Sequence, residues 1–133
     1  MNQAKLTAVV LALIVTALGC GQPAGNPPVA KVDLQKLAGK WIRTDGDYML
    51  EIKTVAADGQ LAAAYFNPNP IKVSKAESKI DGDTAKVFVE LTDTGYPGCT
   101  YTLTYDALED QLKGIYFQAA MQQRYEIFFI RMK

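Results

Sequence analysis

Turn-forming residues divide the chain beyond residue 39 at short, regular intervals, and this punctuation constrains the fold more than any other feature. The seven breaks are Thr44 to Asp47, Asp58-Gly59, Asn67-Pro68-Asn69-Pro70, Asp81-Gly82, Asp93 to Gly98, Asp106 to Asp110 and Met121 to Gln123. Gly permits the positive φ that turns need, Pro presets φ, and Asn and Asp bond their own backbone. The runs between the breaks are rich in β-branched and aromatic residues and short for helices. Eight strands are predicted: Gly39 to Arg43, Tyr48 to Val55, Leu61 to Phe66, Ile71 to Ile80, Thr84 to Thr92, Cys99 to Tyr105, Gln111 to Ala119 and Arg124 to Met132. Such short connections join antiparallel neighbours, whereas parallel strands need long crossovers. Only Val32 to Leu37 reads as helical, a turn or so with Asp33 as N-cap.

Two-residue alternation assigns the faces. Cys99, Tyr101, Leu103 and Tyr105 oppose Thr100, Thr102 and Thr104; Ala85, Val87, Val89 and Leu91 oppose Lys86, Phe88 and Glu90; Tyr48, Leu50, Ile52 and Thr54 oppose Met49, Glu51 and Lys53. One face goes to a core and the other to solvent. A meander of eight strands exposes two edges unless it closes, and a closed eight-stranded barrel is either filled by its side chains or holds one small ligand. The expected fold is therefore all-β, an eight-stranded antiparallel up-and-down barrel with a short N-terminal helical turn. The last two strands are apolar on both faces: Ile115, Phe117 and Ala119 oppose Leu112 and Tyr116, and Phe128, Ile130 and Met132 oppose Tyr125, Ile127 and Phe129. Strands covered on both sides read this way, so something besides the barrel interior should pack here: a second copy, giving a homo-oligomer through these two strands, the N-terminal helical turn, or an envelope partner.

The N-terminal 31 residues read as address and tether. Lys5 precedes an uncharged apolar run from Leu6 to Leu18, about 13 residues against the roughly 20 that span a bilayer, and small residues close it. Residues 1–19 are predicted to be a signal peptide. Its exit, Ala17-Leu18-Gly19-Cys20, resembles the lipobox of bacterial lipoproteins. That resemblance implies lipidation of Cys20 and a membrane partner reached through the N-terminal lipid, and Gly21 in place of the retention aspartate implies the outer membrane. Residues 20–31 carry prolines 23, 27 and 28 and little to bury, and read as a tether reaching roughly 30 Å. The barrel domain is predicted over 32–133.

Composition excludes several chemistries. Without Lys5, 13 of the 14 basic residues remain against 14 acidic ones, so no nucleic-acid footprint is present. Histidine is absent, which removes Ser-His and Cys-His catalysis and the commonest transition-metal ligand. Asp45-Gly46-Asp47 and Asp81-Gly82-Asp83 lack the spacing of a calcium loop and read as turns. Neither metal nor cofactor is expected. With Cys20 assigned to lipid, Cys99 has no intramolecular partner, and its phase with Tyr101 predicts burial. Glu51, Glu90 and Glu126 are the strand-borne carboxylates that a glycosidase-like pair would draw on; solvated outer-face charges explain them better, and an enzyme is not expected.

A helical turn leading into Gly39-Lys40-Trp41 and then an up-and-down series of strands resembles the calycin superfamily, the lipocalins and avidins. The resemblance implies that Trp41 packs at the closed end beneath an arginine from the final strand, for which Arg131 is the matching residue. The avidin likeness extends through Tyr48-Met49-Leu50-Glu51-Ile52 to Leu61-Ala62-Ala63-Ala64-Tyr65 and implies a ligand role for Tyr65. Arg43 and Asp47 stand where the avidin pattern has asparagine and serine, and Trp41 is the only tryptophan, so biotin is not the expected ligand. With Tyr65-Phe66-Asn67-Pro68 and Tyr116-Phe117-Gln118-Ala119, the mature domain also looks like a group of small bacterial lipoproteins, a likeness that supplies no activity. Candidate ligand-binding residues are Tyr48, Tyr65, Tyr101, Tyr105 and Tyr116, which with Tyr125 fall on faces turned inward, and Gln118 and Arg43 as sources of polar contacts. They suit a barrel binding a small hydrophobic or aromatic ligand; the same tyrosines could instead fill the core. The alternative is a protein-binding or inhibitor-type envelope lipoprotein with a filled barrel, working through the loop Thr92 to Gly98.

Overall fold

The computed structural model describes residues 31–133. The predicted signal peptide, Cys20 and all of the tether but Lys31 lie outside the described residues. Within them the fold is all-β: β1 (Gly39–Arg43), β2 (Met49–Val55), β3 (Leu61–Asn67), β4 (Asn69–Ile71), β5 (Val73–Asp81), β6 (Thr84–Leu91), β7 (Cys99–Asp106), β8 (Gln111–Gln118) and β9 (Gln123–Arg131). They form one antiparallel sheet in the order β4-β3-β2-β1-β9-β8-β7-β6-β5, so every paired neighbour is consecutive in sequence except β1 and β9. That pairing, with Trp41 opposite Arg131 and Ile42 opposite Ile130, rolls the meander into a nearly closed barrel.

The barrel has nine strands rather than eight. The stretch Ile71 to Ile80, predicted as one strand, breaks at Lys72, and the residues Asn69-Pro70, predicted as turn, open a short strand that pairs back on Tyr65 to Asn67. Pro68 sits at the reversal, and Pro70 has no N–H to extend the ladder. At Lys72 the chain leaves one sheet edge for the other. The Lys72 N–H donates to Asp93 Oδ2 (3.0 Å), and its carbonyl accepts from the Thr92 N–H (3.0 Å). The two edges meet sparingly, at a single bridge between Gln60 and Glu77 and at Gly59, whose carbonyl accepts from both the N–H and Oγ of Ser78. Gly59 is required there: its φ is +91°, and a Cβ would lie 2.2 Å from the Ser78 carbonyl oxygen.

Alternation places the core largely as predicted. Ala85, Val87, Val89 and Leu91 are buried, as are Cys99, Tyr101 and Leu103, while Thr100, Thr102 and Thr104 face outward. On β2 the expected phase fails after Ile52. Ile52 pairs with Ala63 but Thr54 pairs with Ala62, so an extra residue bulges out; Val55 turns inward and Thr54 is exposed. The outer faces of β8 and β9 are mixed rather than apolar throughout: Phe128 is 41% and Ile130 37% exposed, and the exposed Lys113, Arg124 and Glu126 lie among them.

One end is plugged. A 3₁₀ turn over Leu34–Leu37, with Asp33 Oδ1 capping the Gln35 N–H, drives the fully buried Leu37 into the barrel. Trp41 Nε1 donates to the Leu37 carbonyl (2.9 Å). The Arg131 guanidinium lies 4.2 Å over the Trp41 ring and donates to the carbonyls of Ala38 and Lys36 and to Asp110. The end that carries Arg43 is open.

Candidate functional site

Arg43 is the last residue of β1 and points inward, so the barrel wall delivers a guanidinium to the interior just below the rim. A buried cation must be paired. Arg43 is only 7% exposed, and its Nε and Nη2 bind both oxygens of Asp45, two residues on in the turn, with Nε to Oδ1 at 2.8 Å. Nη1 donates to the Tyr101 hydroxyl (2.9 Å), which lies 2.7 Å from the Tyr65 hydroxyl. The guanidinium carbon lies over aromatic rings, 4.2 Å from the Tyr48 centroid and 5.4 Å from that of Tyr116. Tyr48 folds over Arg43 because Gly46 leaves it room; a Cβ at Gly46 would sit 2.4 Å from the Tyr48 ring.

The tyrosines form a column from core to rim. The Tyr101 ring packs on Phe129 (5.3 Å), Tyr65 (5.5 Å) and Tyr116 (4.8 Å), and Tyr116 stacks on Tyr125 at 6.3 Å. Burial pushes the Tyr65, Tyr101 and Tyr116 phenols above their ordinary range, so all three are neutral donors and acceptors at neutral pH. For Arg43 burial works against the charge, and the Asp45 bond with the Tyr101 contact outweighs it, leaving its pKa raised. The Arg43 hydrogen bond holds the Asp45 carboxyl below its ordinary value. The pair is ionised and net neutral.

Above this base opens a cleft of about 490 Å³ at the barrel mouth, bounded by Arg43, Asp45, Tyr48, Tyr96, Tyr116, Gln118 and Tyr125. Tyr96 closes one side because its hydroxyl accepts from Asn67 Nδ2 and its ring packs against the core, which folds the Thr92 to Gly98 loop back rather than letting it project. A hollow of about 510 Å³ also lies on the outer wall among Lys79, Lys86, Phe88 and Thr102. Its buried polar side chain, Ser78, is committed to the Gly59 carbonyl, and Lys86 Nζ to Thr104 Oγ1, so the mouth is the stronger candidate.

The predicted ligand residues therefore separate. Arg43, Tyr48, Tyr116 and Gln118 line the mouth. Tyr65 and Tyr101 are fully buried and act beneath it, fixing Arg43. Tyr105 is at the plugged end, edge-on to Trp41 at 6.1 Å and donating to Asp110 (2.9 Å), so it does not join the others. Asp45 and Tyr96 belong to the mouth without having been singled out as ligand residues. A signal for Asp45 was present, since an inward arginine demands a nearby carboxylate. Glu51, Glu90 and Glu126 take outward positions on β2, β6 and β9 and form no inward pair. Among the described residues no cluster of three metal-ligating side chains occurs. Comparison of the chain with protein-family models, with curated proteins and with solved structures gave no match.

Proposed function

We propose that this chain is a small-molecule binding barrel that receives its ligand at the open mouth, and that it is held at the bacterial outer membrane through a lipidated Cys20. The observation that carries the binding reading is Arg43: a buried, ion-paired guanidinium clasped by tyrosines at the floor of a cleft open to solvent. Folding alone gains little from such an arrangement, because an apolar residue of similar volume would avoid the desolvation cost. Few oriented polar groups in an aromatic-lined recess are what small-ligand sites are made of. The envelope reading rests on Ala17-Leu18-Gly19-Cys20 and the apolar run before it. A calycin-like relation is supported by Trp41 on the first strand beneath Arg131 of the last.

Binding is preferred to catalysis because the mouth offers one ionised carboxylate, already engaged by Arg43, and no second one among the described residues that line it. It is preferred to protein inhibition because the Tyr96 loop packs back on the barrel. Self-association through β8 and β9 stays part of the proposal, supported by the exposed Phe128 and Ile130.

Native mass spectrometry of the protein purified gently from its own host tests the binding reading. A retained small-molecule adduct that Tyr48→Ala releases supports it. A clean apo mass across mild conditions counts against it and favours a barrel acting through its surface.

A further inference from the structure

We infer that the mouth takes a neutral, hydroxyl-rich ring, a sugar unit, with adjacent hydroxyls on the Arg43–Asp45 edge and its C–H face on tyrosine. This rests on the reading of the mouth as the ligand site. Three features of the cleft select the class.

The first is charge. Arg43 and Asp45 cancel, and the remaining lining is tyrosine, glycine and Gln118, so no net charge is left to attract an ionic ligand. A carboxylate brought to Arg43 would face the Asp45 carboxylate at close range, like charge against like.

The second is the pattern of unused hydrogen-bonding groups. Nε and one proton each of Nη1 and Nη2 are committed to Asp45 and Tyr101; each terminal nitrogen keeps a second N–H with no partner among the described residues. The Asp45 carboxylate is 53% exposed, and each of its oxygens has lone-pair capacity beyond the bond from Arg43. The edge thus presents donors and acceptors side by side. A hydroxyl is both donor and acceptor, so neighbouring hydroxyls on a ring can donate to Asp45 and accept from Arg43 together. Gln118, an amide with both functions, extends the same pattern along the rim.

The third is the aromatic wall. Tyr125 is 42% exposed, with Tyr116 stacked behind it. The negative π face of an exposed tyrosine suits the weakly positive C–H groups of a saturated ring. An apolar or aromatic ligand would seek the dry interior instead, and Tyr65, Tyr101 and Phe129, all fully buried, already occupy it.

The test is calorimetric titration of the full chain with a panel of neutral sugars, from monosaccharide to tetrasaccharide, alongside glucuronate and benzoate as carboxylate probes. The expected result is binding of a neutral sugar that changes less than twofold between low and high salt and weakens at least tenfold in Tyr125→Ala, a rim variant whose side chain the core does not need. Affinity that climbs with chain length assigns a polymeric glycan as the source; affinity saturated by one or two units assigns a free sugar. Binding of benzoate or glucuronate in place of neutral sugars, strengthened by Asp45→Asn, overturns the sugar class and leaves the mouth as the site. No sugar binding together with a host-purified protein free of adduct overturns both.

Discussion

Removing Asp45 should destabilise the protein more than removing Arg43, although the two form one ion pair. Asp45→Ala strands a guanidinium that is 7% exposed, with only the Tyr101 hydroxyl and the Tyr48 and Tyr116 rings for company. Breaking a fully buried pair in this way costs about 3–5 kcal/mol. Asp45 is 53% exposed and water can enter behind it, which discounts the figure to about 2 kcal/mol. Arg43→Met takes away the charge with its desolvation cost and leaves an unbranched side chain in the same space. Asp45 then hydrates freely, and Tyr101 keeps Tyr65 as a partner. That substitution should cost about 1 kcal/mol or less. Urea unfolding of both single variants and the double variant reads the difference, with the double variant close to Arg43→Met alone. In thermal melts the Asp45→Ala loss should appear as roughly 10 °C. If Arg43→Met proves the more damaging of the two, the guanidinium is a structural cation, and the argument that it is kept for a ligand fails.

Four further outcomes are expected. Acid should weaken the protein through Asp45: its folded carboxyl titrates below the ordinary 3.8, so the stability it supplies is complete above that value and is lost as pH falls through the folded pKa, and Asp45→Asn should flatten the acid limb of a stability–pH curve. Alkali should act through the buried phenols: Tyr65 and Tyr101 are raised above 10.0, so the unfolded chain ionises first, stability falls as pH rises past 10, and their phenolate absorbance should appear only with unfolding. Arg131→Leu should cost about 2–3 kcal/mol in urea, since it removes the stacking on Trp41 and bonds to two backbone carbonyls and Asp110 at the plugged end; an unchanged midpoint would remove the plug from the account. Gly59→Ala should cost at least about 1 kcal/mol and accelerate amide exchange at Ser78, because the seam there depends on a positive φ and on backbone contact that a Cβ would block.

Much of the barrel could be read from the chain because turn residues and alternation are local signals. β1 spans Gly39–Arg43 as predicted, and Val87 and Tyr101 face inward where their phase put them. The failures have non-local causes. The break at Lys72 depends on which sheet edge the chain joins next, and the bulge beyond Ile52 depends on pairing with Ala62 and Ala63; neither leaves a mark in the strand's own residues. For the candidate site, alternation reports which face a residue takes and not its height along the barrel. Tyr101 and Tyr105 share a face, yet four residues at about 3.3 Å each separate them by roughly 13 Å, enough to put one beneath the mouth and the other at the plug. Asp45 resembled an ordinary turn residue, and only the inward direction of Arg43 gave it a partner to neutralise.

The most direct test of the ligand site is amide chemical-shift mapping of the isotopically labelled protein, titrated with the small-molecule fraction of its host. The account predicts shifts grouped at Arg43, Tyr48, Tyr96 and Gln118, with the Trp41 end silent. Shifts grouped on the outer wall at Lys79 and Phe88 or along the outer face of β8 and β9, or none anywhere, would contradict it.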